Sequence, residues 1–216
     1  MVRILFVCTG NLCRSPVAER LAVRWARDLL RHSPENDVVE IGSAGVDASI
    51  GRPMDARSAE ALINLGGDPA GFSSRLLEPS LAEEADLVLT MTRRQRREVL
   101  EKNPRGLRRT FTLLEAADLL GSADLAGLRL MPLAQRAREL GLRLDAARSR
   151  HPTTGFDDMP DPIGRSAAVH AEVATAIATA LRPLADILFS SVRPMAALPV
   201  GDDDFARRSP PGIQFS

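Results

Sequence analysis

Val2-Arg3-Ile4-Leu5-Phe6-Val7-Cys8-Thr9-Gly10-Asn11-Leu12-Cys13-Arg14-Ser15-Pro16 follows the first methionine, and its order predicts a strand, a tight loop and a helix. Val2 to Val7 is a short apolar run with β-branched residues, the pattern of a buried strand. It stops at Thr9-Gly10-Asn11, where turn-forming residues take over. Pro16 stands where a helix begins, because its missing N–H costs nothing in the first turn. Beyond it Val17, Leu21, Trp25 and Leu29 recur at helical spacing.

The same alternation continues outward from this opening. A second strand fits Val38 to Ile41, and a helix fits Ala56 to Leu65, closed by Gly66-Gly67. Ala85 to Met91 reads as a third strand. Arg93 to Lys102 follows as a polar helix stopped by Pro104, and Arg109 to Leu113 supplies a fourth strand. Strands alternating with helices predict an α/β fold, a doubly wound four-stranded parallel sheet with helices on both faces. Residues 114 to 155 hold two or three short helices rich in Arg and Leu, and Ser166 to Leu188 forms a long alanine-rich helix. From Ser191 onward Pro, Gly and the run Asp202-Asp203-Asp204 predict a disordered tail.

The 216 residues suffice for one well-buried domain. Lys and Arg together balance Asp and Glu at 28 each, so no global charge draws the chain to nucleic acid or to an anionic membrane. Only Lys102 among the 28 basic residues is a lysine, which we ascribe to the codon usage of a GC-rich genome. Ile4 to Val7 is too short for a signal-peptide core or a transmembrane span, so the expected location is the cytoplasm. The two cysteines, five positions apart, form no framework of the kind secreted domains use.

The loop from Cys8 to Pro16 carries the chemistry. A strand-to-helix loop points several backbone N–H groups at one spot, and the helix N-terminus adds partial positive charge. Such a nest binds a phosphate-sized dianion, and its field favours the thiolate form of a thiol placed at its floor. Cys8, at the strand end, takes that place. Arg14 can grip two phosphoryl oxygens with its planar fork. Ser15 can donate a hydrogen bond to the sulfur, and Gly10 and Asn11 tolerate the left-handed backbone angles of a tight cradle. No Gly-Lys-Ser/Thr follows, which excludes a nucleotide P-loop.

These residues resemble the signature loop of the low-molecular-weight protein-tyrosine phosphatases. The resemblance covers most of residues 2 to 115 and resumes from Asp158 to Leu188. It includes Ser43-Ala44-Gly45, Ser74-Arg75, Asp86 to Met91, and Asp161-Pro162 with Gly164. It implies hydrolysis of phosphotyrosine on a phosphorylated protein, such as a bacterial tyrosine kinase or its targets, with no cofactor and no metal. Cys8 would be the nucleophile, Arg14 the phosphoryl clamp and Asp161 the general acid, with Asp157 and Asp158 as competitors on the same loop. Thr9, Gly10, Asn11, Leu12, Cys13 and Ser15 would complete the phosphate site. The family also implies a Cys8–Cys13 disulfide under oxidation; packing of Cys13 in the loop is the alternative.

Several positions depart from the family pattern. Ile163 and Ile50 stand where cleft aromatics are common, and Phe72 near a histidine that braces the loop asparagine. The protein-arginine phosphatases of the same superfamily carry threonine at the position of Leu12, whereas the tyrosine-specific branch has an aliphatic residue there. A thioredoxin-coupled arsenate reductase would need further cysteines, and a non-catalytic phosphoprotein-binding module would not need Cys8, Arg14 and Asp161 together. Residues 1–190 are thus expected to form the catalytic domain, with 119–154 a helical insertion decorating its periphery. The arginines 93, 94, 96 and 97 read as a solvated helix face, and His32, His151 and His170 as too scattered for a zinc set.

Overall fold

A computed structural model describes residues 1–31, 33, 35, 38–150 and 157–190. The tail expected from Ser191, as well as His32 and His151, lies outside the described residues. The four expected strands are present as β1 (Val2–Cys8), β2 (Val39–Gly45), β3 (Leu87–Thr90) and β4 (Thr110–Thr112), all parallel in the order β2-β1-β3-β4. The strand order reverses direction about β1. The crevice outside the carboxyl ends of β1 and β3 is therefore where an open α/β sheet places its ligands.

Helices cover both faces. They are α1 (Arg14–Leu29), α2 (Ala56–Asn64), α3 (Pro79–Glu84), α4 (Arg93–Lys102), α5 (Leu113–Leu119), α6 (Leu133–Arg148) and α7 (Ala167–Phe189). Because side chains alternate along a strand, Ile4, Phe6 and Cys8 enter one large core with α1, α2, α5, α6 and α7. Leu5 and Val7 enter a smaller one with Leu77, Ala82, Val88 and Val99.

Three elements differ from the sequence expectation. β2 runs on through Gly42-Ser43-Ala44-Gly45, residues of low strand propensity that are held by pairing with Leu5 to Cys8. α3 is a single six-residue stretch with Pro79 at its start, too short to show a helical period. The segment expected at the periphery is instead part of the core. α6 is one 16-residue helix, and its Leu133, Ala137, Leu140, Leu144 and Ala147 are fully buried in the large core. Gly141 lets it approach the 3-10 turn Pro104–Arg109, since a Cβ there would lie 3.3 Å from the Arg108 carbonyl oxygen.

Candidate active site

The loop between β1 and α1 is shaped from outside by its carbonyls. Those of Cys8, Thr9 and Leu12 accept the N–H groups of Val46, Asp47 and Asp55 at 3.0, 3.0 and 2.9 Å. In a trans peptide the N–H points opposite to the C=O, so the amides of Thr9, Gly10 and Cys13 turn toward the opposite side of the loop. Close contact with β2 makes this possible: a Cβ on Gly45 would collide with the Thr9 carbonyl oxygen and meet the Asn11 nitrogen at 2.9 Å. Asn11 is the one non-glycine with positive φ, at 53°, among the described residues. Gly10, expected to share that conformation, does not adopt it.

Cys8 is buried at 2% exposure, and its Sγ accepts the Asn11 amide at 3.3 Å and the Ser15 hydroxyl at 2.9 Å. Asn11 decides the direction of that hydroxyl. Its Oδ1 accepts the Arg75 N–H at 2.8 Å, which turns Nδ2 onto Ser15 Oγ at 3.0 Å and Ser43 Oγ at 2.8 Å. With a lone pair of Ser15 Oγ occupied by Asn11, its proton is directed at the sulfur. Ser43 passes the pattern on by donating to Glu19 at 2.6 Å. Burial pushes the Glu19 carboxyl up from its ordinary value, although the Ser43 hydroxyl, Arg20 and Arg75 oppose the shift. Phe72 takes no part in this bracing and lies under the Arg20 guanidinium, 5.6 Å from ring centre to Cζ. Ser43, Arg75 and Glu19 form a network that the sequence reading missed. Only Ser43 and Arg75 carried a signal, through the Ser43-Ala44-Gly45 and Ser74-Arg75 segments.

The three acids of the following loop are separated by their surroundings. Asp158 accepts the Arg93 N–H at 2.7 Å, at the start of α4. Asp157 is buried, and burial, followed by the nearby Glu115, raises its carboxyl above the ordinary value. Asp161 alone reaches the loop arginine, with Arg14 Nη2 donating to Oδ2 at 2.5 Å. Arg14, 4% exposed, also donates through Nη1 to the Met159 carbonyl at 3.0 Å. Met159 is fastened by its own N–H to the Met91 carbonyl beyond β3. Gln95 on α4 completes the frame, accepting the Met91 N–H and donating to Thr9 Oγ1, both at 3.0 Å. Gln95 was not anticipated, since one glutamine among the arginines of α4 gives no pattern. The arginine face also does more than meet solvent: Arg96 donates to the Thr110 carbonyl, and Arg93 lies against Asp158.

Residues 3–124 match the family model described as low molecular weight phosphotyrosine protein phosphatase. The chain belongs to this family. Among its relatives is the low molecular weight protein-tyrosine-phosphatase Etp of Escherichia coli, 40% identical over 88 residues, which cover 41% of this chain and 53% of Etp. The match thus spans about half the length of that phosphatase. The protein-arginine-phosphatase of Bacillus subtilis is 39% identical over 112 residues, 52% of this chain and 70% of the relative. Among solved structures, the YwlE arginine phosphatase from Geobacillus stearothermophilus superposes with a TM-score of 0.61 at 27% identity, covering 87% of this chain and 93% of that one. No helix among the described residues is long and apolar enough to cross a membrane.

Cys13, buried like Cys8, has other neighbours. Its thiol is pushed up to about 11, chiefly by burial, against a hydrogen bond from Ser58. His170 also comes close to this loop. It lies on α7, yet its Nδ1 is 2.8 Å from Ser58 Oγ and 3.4 Å from Asp55 Oδ1.

Proposed function

We propose that this chain is a phosphoprotein phosphatase that hydrolyses phosphotyrosine through a phosphocysteine intermediate. The observation that carries the proposal is the Cys8 sulfur at the floor of the loop, held by Ser15 and the Asn11 amide, with Arg14 and Asp161 paired beside it. In this reading Cys8 Sγ attacks phosphorus in line with the leaving oxygen, and Asp161 gives that oxygen its proton. The loop amides of residues 9–15 and the guanidinium of Arg14 stabilise the equatorial oxygens. Arg14 spends one N–H of each terminal nitrogen on the acid loop, so further donors remain for a phosphoryl group. Water activated by the ionised Asp161 then attacks the phosphocysteine, and the Ser15 hydroxyl stabilises the departing thiolate. The substrate is a phosphorylated protein, such as a tyrosine kinase or its target.

A second reading, hydrolysis of phosphoarginine, is favoured by the likeness to the Bacillus subtilis enzyme and by the side chains of Ile50 and Ile163, 73% and 50% exposed, where ring-stacking aromatics would be expected. Leu12, aliphatic as in the tyrosine-specific branch, favours phosphotyrosine. The test is turnover of phosphotyrosine, phosphoarginine and phosphoserine peptides, repeated with Leu12→Thr. We expect phosphotyrosine to lead in the unaltered chain and phosphoarginine to gain in the variant. Cys8→Ser should bind vanadate without turning over any substrate; substantial activity in that variant would sink the assignment.

A further inference from the structure

Three residues far apart in sequence meet beside the loop: Cys13 at its end, Asp55 at the N-cap of α2 and His170 in the first turn of α7. One ligand atom from each lies within 4.8 Å of the others. Cys13 and His170 are 5% and 1% exposed, and His170 Nε2 has no partner among the described residues. The imidazole nitrogen turned toward the other two ligands is Nδ1, 3.4 Å from Asp55 Oδ1.

We propose that Cys13, Asp55 and His170 form a binding site for a divalent transition-metal ion, with zinc the best fit. A thiolate, an imidazole and a carboxylate are the donors such an ion takes, whereas magnesium and calcium prefer oxygen alone. Charge supports the choice. One thiolate and one carboxylate neutralise a dication, and a neutral complex suits a buried position. Bonds of about 2.0 to 2.3 Å set tetrahedral ligands roughly 3.3 to 3.6 Å apart, so a pair at the 4.8 Å limit has to close by about 1.2 to 1.5 Å. The Ser58 hydroxyl, already beside His170 Nδ1, or a water takes the fourth position. Asp55, 26% exposed at its side chain, provides the side of entry. On binding, the Cys13 S–H bond gives way to an S–metal bond and its proton leaves to solvent. The ion would tie the loop to two helices one residue before Arg14.

This site stands apart from the phosphatase reading, and its test does not use turnover. The full chain, reduced and freed of metal with a chelator, is titrated with cobalt(II), and zinc is then added in competition. The expected result is a near-ultraviolet thiolate-to-cobalt charge-transfer band that zinc removes. The band should persist in Cys8→Ser, vanish in Cys13→Ser, and require at least about tenfold more cobalt in His170→Gln. His170→Phe provides a second replacement if the first does not fold. No band in the unaltered chain, a band that follows Cys8 rather than Cys13, or unchanged affinity in a folded His170 variant would overturn the proposal.

Discussion

In the proposed reaction Ser15 and Asp161 act at single atoms, and each can be altered at one atom. Ser15→Ala takes away a hydrogen bond to the sulfur. A bond to a charged group is worth about 1.5 to 3 kcal/mol, so turnover should fall roughly ten- to hundredfold, with phosphocysteine accumulating because thiolate departure is the step weakened. Rapid-quench measurement of the phosphoenzyme checks this; an unchanged steady state would contradict it. Asp161→Asn should slow poor leaving groups by about 10²- to 10⁴-fold and activated aryl phosphates much less. Asp158→Asn should instead act on stability, since Asp158 holds the start of α4. If Asp158→Asn shows the leaving-group dependence, the acid is misassigned. Of these residues, Cys8, Arg14 and Ser15 were legible in the sequence because one contiguous loop supplies them. Glu19, Gln95 and the Cys13–Asp55–His170 cluster were not, because only the fold brings their elements together.

Strands and helices test the loop's construction. Gly45 and Gly10 both border it, yet only Gly45 lacks room for a side chain. Gly45→Ala should cost about 1 to 3 kcal/mol by overpacking. Gly10→Ala, whose Cβ would meet nothing nearer than Leu12 at 3.9 Å, should leave the melting temperature nearly unchanged. Equal losses in thermal melts of the two variants would mean that the β2 approach does not set the loop's shape. The alternation of strands and helices was readable from apolar period and from stops such as Gly66-Gly67 and Pro104. The extension of β2 through residues 42–45 was not, because pairing there overrides local propensity. The place of α6 escaped for a different reason: helical spacing reveals an apolar face but not the surface that face meets.

Across the molecule, α6 and Glu19 set terms in overall stability. Leu140→Ala or Leu144→Ala should cost about 2 to 5 kcal/mol, read as a shift in urea midpoint; a loss below 1 kcal/mol would return α6 to the periphery. Glu19 is raised by burial above its ordinary value of 4.5, so the native state keeps its proton longer than the unfolded chain does. Its contribution is therefore fully present below the unfolded value and is lost as pH rises through the raised native value. Replacing it with Gln should flatten the pH dependence of the urea midpoint above the ordinary value of 4.5. A midpoint difference between the two proteins that stays constant over that range would show that Glu19 does not titrate differently on folding.

Helix α7 has a consequence for how the chain comes to be made. Its Val173, Ile177, Leu181 and Leu184 share one core with Val17, Ala18 and Leu21 of α1 and with Phe6 of β1, so a segment made well before α7 is sheltered by it. A nascent polypeptide halted before Ser166 lacks the helix that covers the apolar flank of α1, and that flank can be buried as it is here only once residues 167–189 have left the ribosome.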